Sequence, residues 1–553
     1  MGLFKKGVMD MNRIKIKFNF NVWSIVSFFI VFIIILPNFE IILKLITPAN
    51  EKWKHITQFM LKIYILDSIK LVIAVVFFSG IIGFISAYIV TFYDFPLRKF
   101  FKWVLALPMA IPPYIGAYTY SALLSYTGFI QTFLRNNAGI KVDQKFFNIM
   151  NINGAVFILS ILLFPYVYLI TKSFLEKQSA SLFESAKLLG KNNFKIFLEV
   201  ILPISRIPIV SGSTLVALEV LSDYGVVSYF GVQTFTTAIF KTWFSMGDVD
   251  SSIKISSILM VGVAFVILFE KFMRGRRKYC YCNTKLRPIE RKNLTGLNKI
   301  IVIIFFKLIF MLSFLIPCFQ LLYFALLTHN KVLNSSFMRL CINSLLLSII
   351  TALVITIISL IIGNYCRIND NSISKIISKI IMVGYSIPAA VVAISVILLF
   401  VNIDRNLKWL YLIINPHSKT LVLSTSIFML FFAYIIRFSG VSYQAIESGY
   451  EKIGKKFFEA SRLLGKNTVA TFLSIDIPML KPAIISSIVL VFIDIIKELP
   501  LTLLLRPFNF NTLATRTFDY AADEMLHESS IPAIIIILIC TIAIAFINKI
   551  DKE

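Results

Sequence analysis

The feature that most restricts this chain is the recurrence, from one end to the other, of apolar stretches long enough to cross a bilayer. No polar segment between them is long enough to form a globular domain of its own. Water does not tolerate a surface of this kind: 58% of the 553 residues are hydrophobic and 15% charged, with a mean hydropathy of +0.83. A soluble enzyme is excluded, and the chain reads as an all-α polytopic membrane protein.

Measured against the roughly 20 residues a helix needs to cross the hydrocarbon core, twelve spans are expected. They fall near 22–43, 67–91, 103–126, 152–171, 203–227, 251–270, 300–327, 343–365, 380–402, 420–436, 482–504 and 531–548. This divides the chain into a tail, 1–21, a first membrane domain, 22–270, a basic linker, 271–299, and a second membrane domain, 300–553. Pro108, Pro112, Pro113 and Pro388 interrupt helical runs and mark expected breaks or re-entrant turns. The first apolar run follows a basic tail (Lys5, Lys6, Arg13, Lys15 and Lys17) as in a signal peptide, but it is too long and lacks a small-x-small cleavage site, so it reads as an uncleaved span.

The net charge of +26 would suit a nucleic-acid partner, yet the basic residues are scattered between spans and form no aromatic-interleaved patch. Topology accounts for them instead. With the tail inside, 35 of the 55 Lys and Arg fall in inner segments and 15 in outer loops, so both termini and the linker are expected in the cytoplasm. Six cysteines form no framework of pairs, and Cys280-x-Cys282 has no second pair at zinc spacing.

A search for self-similarity shows a repeat. Phe183-Glu-Ser-Ala-Lys-Leu-Leu-Gly-Lys-Asn192 returns as Phe458-Glu-Ala-Ser-Arg-Leu-Leu-Gly-Lys-Asn467, 275 residues later. The same offset pairs Pro203 with Pro478, Glu219 with Asp494, Asp223 with Glu498, Phe235 with Phe510 and Thr237 with Thr512. With one residue inserted upstream, Ser68 pairs with Ser344 and Pro112 with Pro388. Six spans separate the copies, so both insert the same way round, related by an axis along the membrane normal. Transporters recur with that symmetry, although a repeat kept only for packing is the plainer alternative.

Each copy of the motif sits between the fourth and fifth span of its half. It reads as a short amphipathic helix, a glycine turn, a second helical stretch and a proline opening the next span. Such a segment suits a groove in another protein, or alternatively the headgroup layer. Its residues resemble the cytoplasmic signature of permease subunits of bacterial ABC importers: Glu-Ala-Ala, three residues, Gly, nine residues, Ile, any residue, Leu-Pro. The first copy is Glu184-Ser185-Ala186, Gly190, Val200 and Leu202-Pro203; the second is Glu459-Ala460-Ser461, Gly465, Ile475 and Ile477-Pro478.

The resemblance implies two tandem six-helix permease domains of the type I importer kind, fused in one chain of the bacterial inner membrane. It implies that these segments are coupling helices docking into two copies of a separate ATPase subunit, with Glu184, Gly190, Glu459 and Gly465 transmitting closure to the spans. ATP and magnesium would then sit on that partner, with no cofactor on this chain, and solute would arrive on an extracytoplasmic binding protein. The nearest approach to a P-loop here, Gly449 to Lys456, puts Lys where the magnesium-binding Ser or Thr belongs. The chain is expected to be a transporter and not itself an enzyme.

Asp494-Ile-Ile-Lys-Glu498-Leu-Pro500-Leu-Thr502 and the stretch from Leu505 to Thr515 look like the fused permeases of ferric-iron importers. The first half offers Glu219-Val-Leu-Ser-Asp223-Tyr-Gly225 and Thr234 to Thr237. The resemblance therefore implies ferric iron as the solute, while related permeases carry thiamine, phosphonates or polyamines.

Glu219 and Asp223, like Asp494 and Glu498, are four apart and would share one helix face, roughly 24 and 30 Å from the proline that opens the span. Four converging carboxylates would suit a hard cation. Against this, the acids can pair with Lys497 or lie solvated at the outer interface, and an acid at position 223 also resembles oxyanion permeases. His55, His329, His417 and His527 fall in expected outer loops without metal-ligand spacing. A carrier or channel without an ATPase is the rival from another class.

Overall fold

In lipid every backbone N–H and C=O must be satisfied within the segment that carries it, and the fold follows that rule. The computed structural model describes residues 22–44, 50–140, 143–274, 289–369, 371–414 and 421–550, and almost all of them are helical. Among the described residues the only strand pairing is two residues long, Tyr93–Asp94 parallel to Lys292–Asn293. The tail 1–21, residues 275–288 of the linker with Cys280 and Cys282, and His417 lie outside the described residues.

Nine described helices are long and apolar enough to cross a membrane: Glu51–Phe92, Gln144–Glu176, Asn193–Ser222, Val249–Arg274, Gly296–Val332, Ser335–Ile368, Ala389–Ile413, Ile427–Ile453 and Leu526–Ile547. Two bent pairs raise the number to eleven if each is one span. Arg98–Ala110 with Pro113–Asn136 bends by 92°, and Thr468–Met479 with Lys481–Ile496 by 74°. Trp23–Pro37 is a shorter apolar helix. Twelve expected spans thus become nine long helices, two broken ones and one short one, in a polytopic all-α membrane protein.

The prolines explain the first break. Pro108, Pro112 and Pro113 withhold three N–H donors within six residues, and the chain turns there through a 3₁₀ segment, Leu107–Ala110. Around Pro388 the expected span 380–402 begins late. Ser372–Gly384 is one helix and Ala389–Ile414 the next, because Ile387 is pushed out of the helical region by the proline after it.

The chain forms two compact units. The smaller comprises the described residues of 1–39, 348–386 and 434–492. Its interior holds Ile362, Tyr365, Ile377, Ile381 and Tyr443, with Trp23 edge-on to Phe472 at 4.9 Å. A run of buried hydroxyls, Thr356 to Ser487 at 3.0 Å and Ser487 to Ser442 at 2.7 Å, satisfies polar atoms between its helices.

The larger unit comprises the described residues of 40–347, 387–433 and 493–553. Here Leu61–Phe92 and Leu202–Ser222 close on Ile152–Glu176 at one level. A Cβ on Gly83 would lie 2.7 Å from Val167 Cβ, and one on Gly212 would lie 2.7 Å from Val167 Cα. Absence of a side chain is what lets these three helices approach. Phe306 of the second half stacks on Phe95 and Phe101 of the first, each at 5.4 Å.

Candidate functional site

Both copies of the repeated motif fold the same way. Ala180–Leu188 and Lys456–Leu463 are short helices ended by Gly190 and Gly465 at φ +75° and +83°, a conformation that glycine alone adopts freely. The closing hydrogen bonds match residue for residue. Gly190 N–H donates to Lys187 C=O (2.9 Å) and Lys191 N–H to Ala186 C=O (3.2 Å); Gly465 N–H donates to Arg462 C=O (3.1 Å) and Lys466 N–H to Ser461 C=O (3.2 Å).

Asn192 and Asn467 then cap the next helical turn, accepting from the N–H of Lys195 (2.9 Å) and of Ala470 (2.7 Å). Both copies continue through a π-helical turn, Phe197–Ile201 and Phe472–Asp476. Pro203 and Pro478 thus sit about three turns into a helix that has already begun, and in the first copy that helix runs unbroken to Ser222.

The turn presents leucines to solvent. Leu188 and Leu189 are 88% and 78% exposed, Leu463 and Leu464 89% and 83%. Ala186 and Ser461 face inward, Glu184 is half-buried, and Ser185, Glu459, Ala460, Leu202 and Pro478 are exposed. Two adjacent exposed leucines at the tip of a rigid turn make a compact apolar knob.

The acids lie at helix breaks. Asp223 and Glu498 do not share a helix face with Glu219 and Asp494 as the spacing suggested, because the helices stop at Ser222 and Ile496. Asp223 is in extended conformation (ψ 133°), and its Oδ1 accepts from the N–H of Val226 (3.0 Å) and Val227 (3.3 Å), capping the short helix Gly225–Tyr229. Glu498 is buried, and its Oε1 accepts from Leu501 N–H (3.2 Å) at the start of Pro500–Leu505. Each half carries the same device: an acid that ends a span and opens a short helix.

Lys497 pairs with Asp494 at 2.9 Å, both side chains largely buried, and also lies in the field of Glu219 and Tyr166. Asp494 is therefore paired with an ammonium in whose field Glu219 also lies, and among the described residues the four acids do not gather into a carboxylate cage. Among the described residues no three His, Cys, Asp or Glu side chains come close enough to hold a metal ion. His55, His329 and His527 are exposed and sit at helix ends, with His527 against the Phe324 ring at 4.2 Å.

Above the Asp223 break opens a cavity of 1440 Å³, lined by Tyr118, Ser121, Ser228, Tyr229, Gln320 and His527 among others. Ser228 and Tyr229 stand on the helix that Asp223 caps, and Tyr118 packs on Tyr229 at 4.5 Å. Tyr114 and Tyr118 have buried hydroxyls without a hydrogen-bond partner. Sequence reasoning passed over these tyrosines. Their signal was the spacing of four directly after Pro112-Pro113, which puts both on one face of Pro113–Leu124.

Two pairings of the repeat shift. Thr234 with Thr237 and Thr512 with Thr515 form the same capping box, and Ser68 Oγ accepts from Phe235 N–H (3.2 Å) as Ser344 Oγ does from Leu513 N–H (2.8 Å). The counterpart of Thr237 is thus Thr515, not Thr512, and that of Phe235 is Leu513, not Phe510. Three extra residues enter the second half after Glu498, in the turn before its capping box.

A family model described as binding-protein-dependent transport system inner membrane component matches residues 79–274 and again 355–552. The chain belongs to this family. It is a fused, two-repeat ABC-importer permease, which works with an ATPase and a binding protein. The Fe(3+)-transport system permease protein FbpB 2 of Haemophilus influenzae is 23% identical over 473 residues, covering 85% of this permease and 86% of the relative. The sulfate transport system permease protein CysT of Escherichia coli is 26% identical over 205 residues, 36% of this chain and 70% of the relative. The molybdenum transport system permease protein ModB of Escherichia coli is 26% identical over 161 residues, 29% of this chain and 68% of the relative.

Proposed function

We propose that this permease carries ferric iron, free or complexed, from an extracytoplasmic binding protein into the cytoplasm by alternating access. Two ATPase subunits dock on it, one at Leu188–Gly190 and one at Leu463–Gly465. The observation that carries the solute is coverage: the ferric permease relative aligns through both halves of the chain, whereas the sulfate and molybdenum permeases match about a third of it. In this reading both termini and both coupling turns face the cytoplasm, because the inner segments of that arrangement hold most of the Lys and Arg, and 22–270 and 300–553 are the two halves of the permease.

Within this reading the helix Asn193–Ser222 is a lever some 45 Å long, from the coupling turn at one end to the Asp223 break and the cavity wall at the other. Docking at Gly190 is carried by one helix as far as the Asp223 break, and Ser228 and Tyr229 stand on the short helix beyond it. Glu219 and Asp494 balance Lys497 beside the path, while Asp223 and Glu498 hold the breaks that let the outer end move independently of the span. A ferric ion passing here meets acids spread along the path, one of them paired with an ammonium, instead of a fixed ligand cage, which favours transit over retention.

The test is reconstitution of the permease with its ATPase and binding protein in liposomes. ATP hydrolysis should rise with iron-loaded binding protein and stay low with the empty form. Equal stimulation by both, or stimulation only by sulfate- or molybdate-loaded protein, assigns a different solute. Uptake that needs no ATPase assigns a secondary carrier.

A further inference from the structure

The two coupling segments are joined to the spans by different chemistry. In the first copy the joint is apolar: Phe183, Ala186, Ile196 and Ile201 of the segment pack with Phe84 and Leu175. Phe183 meets Phe92 edge-on at 4.9 Å. In the second copy the residues at the corresponding positions form an ion pair. Asp476 stands where the first copy has Ile201, Arg367 where it has Thr91, and Tyr450 where it has Leu175, by the repeat offsets.

Arg367 Nη1 donates to Asp476 Oδ1 (2.9 Å) and Nη2 to Oδ2 (2.5 Å), a bidentate pair whose side chains are 6% and 0% exposed. The guanidinium also lies over the Tyr450 ring at 4.6 Å and over Phe458, the first residue of the repeated motif, at 5.0 Å. One cation therefore grips the motif helix through Phe458 and the π-helical turn through Asp476. It is carried by the last turn of Ser335–Ile368, which is a candidate span.

The physics of the two joints differs. Apolar packing is non-directional, so rings and aliphatic chains can slide and repack with little change in area. A buried bidentate guanidinium–carboxylate pair has one favourable geometry, and half-breaking it strands a charge out of water. We propose that Arg367 and Asp476 are a positioning pair that locks the second coupling segment to the span Ser335–Ile368. The two ATPase docks are then not equivalent: the second drives Ser335–Ile368 as one body, whereas the first, though continuous with Asn193–Ser222, slips against Glu51–Phe92. This rests on the coupling-helix reading above.

The test uses the whole permease with its ATPase and binding protein in liposomes, measuring uptake of ferric ion supplied on the binding protein and ATP hydrolysis in the same vesicles. The Arg367→Met, Asp476→Leu double variant removes both charges at similar volume, a change that buried ion pairs often tolerate. It is expected to insert and to support hydrolysis, with ferric ion taken up per ATP lowered about tenfold. Arg367→Lys keeps the charge but loses the second hydrogen bond, and should lie between the double variant and the wild type. Ile201→Leu, in the apolar joint, should leave the ratio unchanged.

A wild-type ratio in the double variant overturns the proposal, as does an equal fall with Ile201→Leu. If the double variant does not accumulate, Arg367→Lys decides by the same ratio. If neither accumulates, the pair is structural and the proposal fails. Failure of the permease reading is distinct: the wild-type protein would then show no hydrolysis linked to uptake of ferric ion.

Discussion

At Gly190 and Gly465 the backbone is left-handed, yet a Cβ built there meets no atom within 4 Å. A side chain would therefore cost about 1–2 kcal/mol in conformation at each turn, with no clash to unfold the permease. Gly190→Asp with Gly465→Asp adds a carboxylate beside each leucine knob. Uptake should be abolished while the amount of inserted protein stays near wild type, and unchanged uptake in that double variant would remove the docking assignment. Asp223 separates charge from hydrogen bonding. Asp223→Asn keeps an oxygen to accept from Val226 and Val227 and should melt within a few degrees of wild type, whereas Asp223→Ala should lose about 1 kcal/mol as a lost cap. Thermal unfolding in detergent distinguishes them, and reduced uptake by the Asn variant would show that transport uses the charge.

Between elements, one close approach lies at a helix break. A Cβ on Gly225 would stand 2.5 Å from Tyr114 Cβ and 3.1 Å from Leu499 Cδ2, so the helix after Asp223 fits only without a side chain there. Gly225→Ala should cost about 1–3 kcal/mol, visible as a lower melting temperature; a melting point equal to wild type would mean that the break is loosely packed. Outside the spans, Asp248 ties Asn50 to the start of Val249–Arg274, its Oδ1 accepting from Asn50 Nδ2 (3.0 Å) and Ser251 N–H (3.2 Å). Burial pushes its carboxyl up, but Ser251, Asn50 and Lys52 outweigh this and hold it below the usual range. A depressed carboxyl contributes stability that is complete above its unfolded pKa of about 3.9 and lost as pH falls through the lower folded value. Protection of the Ser251 amide, taken relative to its intrinsic exchange rate, should therefore fall below about pH 4 in the wild type and lose that dependence in Asp248→Asn.

At the scale of the molecule, the larger unit is built from both halves of the sequence. Ser222 Oγ of the first half accepts from Ala389 N–H of the second at 3.1 Å, Tyr120 donates its hydroxyl to Leu312 C=O, and Lys292 Nζ reaches Asn193 Oδ1 at 2.7 Å. Expressed as separate fragments, 1–274 and 289–553 should accumulate together and co-purify, and each should be degraded alone. Accumulation of the first fragment by itself would mean that its own contacts suffice. What the amino-acid order determined here is what depends on neighbours along the chain: the lengths of the apolar runs, the proline breaks, the repeat at 275 and the two glycine turns, since a span, a proline or a left-handed turn is specified within a few residues. What only the tertiary structure decided is where the helices stop and which charges meet. Asp223 left the face of Glu219 because Ser222 ends its helix beside Ala389, and Arg367 found Asp476 across 109 residues. Those outcomes turn on partners distant in sequence, and burial makes each partner's presence a condition for the other's charge or open hydrogen bond.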